Sequence, residues 1–418
     1  MTECFNIRQW FLICLLLRLL VMPFTVHGDI FFVYETPHFL THGEWDAYGI
    51  AAEKGINYYP PFALIFYAIV QLIMQIILPS FEQFTHSLAY MDIKELLESD
   101  NLYLSLFLMK LPYIFFDCLL ILTCWKMFPE KKNRHIFLVF WAVNPVAIYG
   151  TYMFGQFDVI PSFFVVLACY LSLQRGKEHY ACFSIAAGCL FKLFPIIFLP
   201  IILLISSKNL KDFIWLSLCG IVPVLFFYGI LYLISGEAVF RIIHLFLSFT
   251  KTSISLKGLA LKFFQLLVYI LVCYHILFFS KKKLNYAFLV QYFLVIYMAM
   301  YWGITHSASL HRFAWILPFL VLYVQQHSTW EKPYYFILLI IFLLGVKSRT
   351  SCFGIFAPIN PEFFMSLPSA KDVTGFLFDQ NTYEITVESL FKGVTALWVI
   401  SIFRKLYQFP NNSAKAGI

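Results

Sequence analysis

The feature that most constrains this chain is a series of long apolar runs separated by short clusters of lysine and arginine. Hydrophobic residues make up 61% of the sequence and charged residues only 13%. Apolar runs of this length, with so few charges, are typical of helices that cross a lipid bilayer. The sequence therefore predicts an all-α polytopic membrane protein rather than a soluble globule.

The apolar runs predict about twelve transmembrane helices. The first covers 9–26 and is interpreted as an uncleaved helix, because it is long and lacks a small-x-small cleavage site; a cleaved signal peptide is the alternative. The other candidate spans are 101–125, 136–153, 159–174, 180–193, 195–206, 212–234, 258–279, 285–302, 313–325, 333–346 and 390–404.

The basic clusters predict the orientation of the chain. With these spans, all the clusters between them fall on the side of the N-terminus, which the positive-inside rule places in the cytoplasm. Segment 60–80 is apolar but opens with Pro60-Pro61, and the later clusters lie on the same side as Arg8 only if this segment does not span. We therefore expect it to lie along or dip into the outer interface. If it spans instead, the N-terminus lies outside and the acidic loop before it lies in the cytoplasm.

This topology predicts one transmembrane domain over 1–410 with both termini in the cytoplasm, and a disordered tail over 411–418. The two largest external loops are 27–100, which includes the juxtamembrane segment, and 347–389. The stretch from His27 to Pro61 is the most acidic, and we interpret it as the lip of a site. Its polar landmarks are Asp29, Glu35, His38, His42, Glu44, Asp46 and Glu53.

Charge and cysteine usage argue against several classes of function. The net charge of +7 comes from the short basic clusters, without the basic stripe and interleaved aromatics of a nucleic-acid-binding protein. The ten cysteines are scattered, mostly inside apolar runs, without CxxC or Cys/His ligand spacing. The sequence therefore predicts no nucleic-acid partner, no zinc site and no disulfide framework.

Asp29 is the first candidate for chemistry. It follows the first span directly, where a carboxylate can be partly desolvated and still reach water, and this position suits a general base. Glu35 is the second candidate for that role. The alternative is that Asp29 is a solvated acid that marks the end of the helix.

Further candidates lie at the outer ends of later spans. The turn 155–158 carries the amide of Gln156 and the carboxylate of Asp158, although Asp158 also suits a helix N-cap. Lys192 lies between two apolar runs and can either contact a phosphate at the headgroup level or snorkel into the interface.

Several cations lie on the predicted outer face, against the positive-inside trend. Arg312 suits a bidentate contact to a phosphate, with a neighbouring histidine as donor, although such residues also anchor helices at the interface. Together with Lys192, these cations indicate an external cavity that accommodates an anion. The other external residues of this kind are Arg241, His244, Lys251, Lys257, His306 and His311.

Two charged residues lie inside predicted spans, at Arg18 and Asp117. We expect Arg18 to snorkel or to face a groove rather than to act in catalysis. A carboxylate as deep as that of Asp117 needs a partner or a polar cavity, so a structural ion pair and a functional site are both open.

The ordered set of motifs resembles the GT-C superfamily of polytopic glycosyltransferases, which use polyprenyl- or dolichyl-phosphate sugars. It is similar to the bacterial polyprenyl-phosphate-mannose transferases and the GPI mannosyltransferases, and more distantly to the dolichyl-phosphate-glucose transferases. The chain lacks a clear Asp-x-Asp motif. The resemblance is carried in order by Asp29, by Tyr58-Tyr59-Pro60-Pro61, by KLPYIFFD ending at Asp117, by NP and GQFD within 144–158, by FKLFP at 191–195 and by HRFAWILP at 311–318.

The resemblance implies a GT-C-like bundle with external juxtamembrane helices. It also implies an inverting transfer of one hexose, with mannose as the first candidate and glucose as the second. Asp29 would deprotonate the acceptor, while cations at Lys192, His311 and Arg312 would hold the donor phosphate. The sugar would be bound by Gln156, Asp158 and Tyr59.

The resemblance further implies a lipid-phosphate sugar donor and a lipid-linked or membrane acceptor on the outer or luminal face. The membrane would be the bacterial inner membrane or the endoplasmic reticulum. No cofactor is identified, and nothing in the sequence supports a divalent metal. The alternatives are a transporter or flippase of lipid-linked sugars, a polymerase or ligase of lipid-linked glycans, and a non-catalytic subunit of a transferase complex.

Overall fold

The computed structural model describes residues 6–56, 58–87, 97–243, 256–280, 284–302, 312–326, 331–346, 350–369, 372–373, 375 and 379–415. Within these ranges every regular element is helical. The helices are α1 Ile7–Val21, α2 Asp29–Thr41, α3 Ala47–Glu53, α4 Pro61–Ile77, α5 Phe81–Ser87, α6 Leu102–Met127, α7 Lys131–Ala142, α8 Pro145–Met153, α9 Val159–Ser172, α10 Glu178–Phe191, α11 Phe194–Ser206, α12 Leu210–Ser235, α13 Leu256–His275, α14 Tyr286–Trp302, α15 Leu317–Gln326, α16 Glu331–Leu344, α17 Pro361–Ser366 and α18 Gln380–Lys415.

The structure agrees with a helical membrane protein. In the described part of the chain, four helices are long and apolar enough to cross a bilayer, and α7 with α8 forms a fifth candidate that is bent by 53°. The other apolar helices have only 10–17 residues, so about twelve spans stay a prediction. The four long candidates are Leu102–Met127, Leu210–Ile243, Leu259–Phe278 and Ile385–Leu406.

The apolar runs predicted most helix positions to within a few residues, but the acidic stretch is not the loop that we expected. It forms α2 and α3, and the rest of the segment that we predicted to be external contributes α4 and α5. Pro37 lies inside α2, which explains why the sequence looked irregular there. The tail is also helical as far as Lys415, whereas 416–418 lie outside the described residues.

Segment 60–80 forms α4, which begins with Pro61 at its first position, where the missing N–H of proline costs nothing. One face packs against α2 and α10, while the opposite face exposes Ile65, Ile69 and Ile73. An exposed isoleucine stripe at helical spacing is suited to contact with lipid. The placement of α4 along the outer interface stays a prediction.

A buried ion pair joins three helices. Arg18 of α1 donates through Nε to Asp117 of α6 over 2.5 Å, and its other nitrogens donate to backbone oxygens at the end of α7. The indole of Trp141 and the hydroxyl of Tyr152 also donate to Asp117, over 2.6 and 2.8 Å. Because every nearby donor is satisfied by protein, this geometry favours the structural ion pair between the two alternatives for Asp117.

A close approach between two segments positions the site. Gly155 has a φ of +81°, and an added Cβ would lie 2.8 Å from the side chain of Ile30 in the first turn of α2. Only glycine adopts this conformation at this distance without strain. The turn before α9 can therefore pack directly against the start of α2, and the hydroxyl of Tyr113 donates to the Gly155 carbonyl over 2.9 Å.

Candidate active site

Asp29 lies in the first turn of α2, where the positive end of the helix dipole favours a carboxylate. Its backbone N–H donates to Nδ1 of His27 over 3.2 Å. That ring stacks on Phe154 with centroids 3.6 Å apart, and its Nε2 lies 3.1 Å from the hydroxyl of Ser351. The contacts of His27 thus fix the turn that carries Asp29. The carboxylate is still partly open to solvent, with 29% of the side chain exposed.

Gln156 connects Asp29 to the opposite side of the site. Its side-chain nitrogen donates to Asp29 over 2.8 Å and lies 3.3 Å from the hydroxyl of Tyr59. Its side-chain oxygen accepts from the ammonium of Lys192 over 3.1 Å. One buried amide therefore bridges an acid and a cation, as its two ends of opposite polarity allow.

Lys192 follows the end of α10 and forms an ion pair with Asp158 at the start of α9. The two side chains are only 13% and 1% exposed. The ammonium also lies 4.7 Å from the ring centre of Phe157 and 5.9 Å from that of Trp315. A buried pair of this kind costs desolvation free energy that its Coulomb attraction barely repays, so it contributes little net stability.

Two buried polar atoms near Lys192 are unsatisfied within the described ranges. Oδ2 of Asp158 and the indole nitrogen of Trp315 are buried and have no hydrogen-bond partner among the residues that the structure describes. Trp315 stacks on Phe194 with centroids 4.0 Å apart, which fixes the orientation of the indole. Such atoms are costly unless a bound ligand or water satisfies them. Sequence reasoning missed Trp315, although it lies in the HRFAWILP motif.

Arg312 is close enough for the charges of Asp158 and Asp29 to act on it. Burial is the main influence on this guanidinium and lowers its pKa, while those two acids and the phenols of Tyr59 and Tyr301 oppose that shift. The site thus combines two cations with two acids and an amide. His306 and His311, which we predicted beside Arg312, lie outside the described residues.

Other predicted residues lie elsewhere. Arg241 packs over the ring of Tyr58, and its guanidinium lies 3.4 Å from the Ala52 carbonyl, so it supports α3 rather than the site. Asp46 caps α3 by accepting from the Gly49 N–H over 3.0 Å. His244, Lys251 and the side chain of Lys257 lie outside the described residues.

Glu35, the second candidate for the base, does not join the cluster around Asp29. It lies six residues later on α2, which turns it roughly 240° around the helix from Asp29. Burial raises its pKa from 4.5 to about 7, and the positive charge of Lys54 opposes that shift. The structure gives it no contact to Gln156 or Lys192 in the part of the chain that it describes.

The raised pKa of Glu35 predicts a pH dependence of stability. The folded state binds this proton more tightly than the unfolded state, so the stability that Glu35 contributes is fully present below about pH 4.5 and is lost as the pH rises through about 7. Melting temperatures in detergent should fall less steeply between pH 5.5 and 8 for Glu35→Gln than for the wild type. Glu53→Gln, at an exposed position, is the control; equal slopes for Glu35→Gln and the wild type would contradict the prediction.

No protein-family model, curated protein or solved structure matches this chain. Its function is therefore argued from the residues and from the geometry of the site.

Proposed function

We propose that this chain is an inverting glycosyltransferase that moves one hexose from a polyprenyl phosphate to a lipid or glycan acceptor. Mannose is the first candidate for this hexose and glucose is the second. The proposed fold is a GT-C-like bundle of about twelve spans with external helices. Both termini would be cytoplasmic and the site would face outside or into the lumen. The observation that carries the proposal is the bridge through Gln156, which places a partly exposed acid and a buried cation at one site.

The proposed reaction assigns a role to each side. Asp29 accepts the proton of the acceptor hydroxyl as its oxygen attacks the anomeric carbon of the sugar. The bond from that carbon to the phosphate oxygen breaks, and its electron pair leaves with the polyprenyl phosphate. Lys192 and Arg312 stabilise the negative charge that develops on this phosphate, as preorganised cations do in a water-poor site.

The remaining residues of the site have side chains that can bind a sugar. Oδ2 of Asp158 and the amide of Gln156 can bind sugar hydroxyls, and Tyr59 and Trp315 offer aromatic rings beside them. Because Lys192 is paired with Asp158, the donor phosphate must compete with that carboxylate for the ammonium. Asp158 is then free to accept from the sugar. A lipid-linked donor fits an outward-facing site, since soluble nucleotide sugars are cytoplasmic.

The proposal is tested by offering labelled donors to the purified chain in vesicles of native membrane lipids. Polyprenyl-phosphate mannose, polyprenyl-phosphate glucose and a nucleotide sugar form the three arms. We expect label to move covalently to an acceptor from one lipid-phosphate donor and not from the nucleotide sugar. Label that changes leaflet without leaving its donor would instead identify a flippase, and the transferase proposal would be wrong.

If Lys192 binds the donor phosphate, replacing it should impair the reaction with the lipid-phosphate donor. Lys192→Met should lower kcat/KM for the lipid-phosphate donor by about 10- to 100-fold, because a charge-assisted hydrogen bond is worth roughly 1.5–3 kcal/mol. Lys192→Arg keeps the charge and should recover part of the loss. Gel filtration and melting curves of both variants separate this effect from the unpaired Asp158 that Lys192→Met leaves. If the methionine variant and the wild type have the same kcat/KM for the donor, Lys192 does not bind the donor phosphate.

A further inference from the structure

A second cluster of ligating side chains lies at the end of α2 that is distant from Asp29. His38 and His42 are four residues apart and share one face of the last helical turn. Glu82, in the first turn of α5, faces them from a separate helix. Since His38 and His42 follow Asp29 by nine and thirteen residues, they lie about 14 and 20 Å along the axis from the start of the helix. It is therefore separate from the candidate active site.

The three side chains are close enough to hold one ion. Each offers one ligand atom, and these atoms all lie within 4.8 Å of one another. The two imidazole rings have centroids 4.2 Å apart, and Nε2 of His42 is in contact with a carboxylate oxygen of Glu82. Tetrahedral zinc, with bonds of about 2.0–2.2 Å, requires ligand atoms about 3.4 Å apart. The separations within the cluster run from the direct contact of His42 with Glu82 to at most 4.8 Å, and this range includes that value.

Hydrogen bonding orients His42 for such a role. Its Nδ1 lies 2.9 Å from the backbone carbonyl oxygen of His38, which can only accept, so Nδ1 carries the hydrogen. In the neutral ring, Nε2 then directs its lone pair at Glu82, so a cation, either a proton or a metal ion, must lie between these two acceptors. This is the arrangement in which a metal-binding histidine donates its other N–H to a backbone carbonyl.

We propose that His38, His42 and Glu82 bind one zinc ion, with water at the fourth position. Two imidazoles and one carboxylate, with water at the fourth position, form one of the ligand sets that zinc uses in proteins. The side chains of His42 and Glu82 are 44% and 37% exposed, so the ion can enter from solvent. The simpler alternative is a protonated His42 that pairs with Glu82 and binds no metal.

A bound zinc would tie the end of α2 to α5. These helices belong to the external segment and already pack against each other and against α4. Because the ion would bind the folded arrangement and not the unfolded chain, it would raise the stability of this segment by linkage. The zinc site does not depend on the proposed transferase activity.

The site is tested on the purified full-length chain, without a histidine tag and stripped of metal by a chelator. Zinc is titrated while bound metal is counted by elemental analysis and melting is followed. We expect one zinc per chain and a melting temperature that rises with zinc and falls again with chelator. Single variants His38→Ala, His42→Ala and Glu82→Gln should each weaken zinc binding by at least about 10-fold. His179→Ala, which removes a histidine outside the cluster, should bind zinc like the wild type.

Cobalt offers a readout that does not depend on stability. Co²⁺ in a four-coordinate site gives intense visible absorption, which should appear at one equivalent and be lost in His42→Ala, while a native elution profile in gel filtration shows that this variant is folded. If the wild type binds no stoichiometric zinc, the cluster is an ion pair only. If all three ligand variants bind zinc as the wild type does, the metal lies elsewhere; either result overturns the proposal.

Discussion

Replacing Asp29 by asparagine should lower kcat for hexose transfer by at least about 100-fold, because a general base contributes roughly 10²–10⁴ to the rate. The asparagine oxygen can still accept the hydrogen bond from Gln156, and the helix start stays intact. The loss should therefore come with only a small fall in melting temperature, from the lost interaction of the carboxylate with the helix dipole, and with little change in the KM for the donor. Initial rates with saturating donor and acceptor measure it.

Glu44→Gln is the matched control, since it removes an exposed acid from the same external segment. It should retain wild-type activity. Glu35→Gln should do so as well, because Glu35 lies away from the cluster. Full transfer activity in Asp29→Asn would show that another group accepts the proton, and the proposed mechanism would be wrong.

Separating Arg18 from Asp117 should have the largest effect on stability. Arg18→Met and Asp117→Asn each leave one charge buried without its partner, and such changes typically cost about 3–5 kcal/mol. The double variant should be less destabilised than the sum of the two, because it removes both charges. Melting curves and the fraction of protein that elutes as a folded species in gel filtration measure this double-mutant cycle.

The same variants decide between the two interpretations of Asp117. In the structural interpretation, Asp117→Asn molecules that remain folded keep wild-type transfer activity at low temperature. Strict additivity of the two destabilisations would show that the pair is not coupled. Loss of activity with unchanged stability would make Asp117 a functional residue instead.

The sequence predicted the helices well where one physical signal dominated. Apolar runs place α6 and α12 almost to the residue, since burial in lipid requires them to be continuous. The stretch from His27 to Pro61 mixes apolar and charged residues with an internal proline, and its helices are stabilised by packing against α4 and α5 rather than by a periodic pattern. Local sequence could not reveal that packing.

The sequence named Asp29, Gln156 and Lys192 as candidates but could not predict their contacts. Charge distribution predicts that they lie on one side of the membrane, whereas their hydrogen bonds depend on how Gly155 lets two distant segments approach. His27 and Trp315 were missed because a lone histidine and a tryptophan in an apolar run give no sequence signal of the contacts that they make. The spacing of His38 and His42 was a visible signal for a metal site only once their segment was known to be helical.

The most direct test of the proposed reaction is the stereochemistry of the product that the purified chain forms from a lipid-phosphate donor of known anomeric configuration. Nuclear magnetic resonance of the new glycosidic linkage reports the configuration. With Asp29 as base in a single displacement, the product should have the inverted configuration, and one polyprenyl phosphate should be released for each linkage. A retained configuration, or no transfer from any lipid-phosphate donor, would contradict the proposed function.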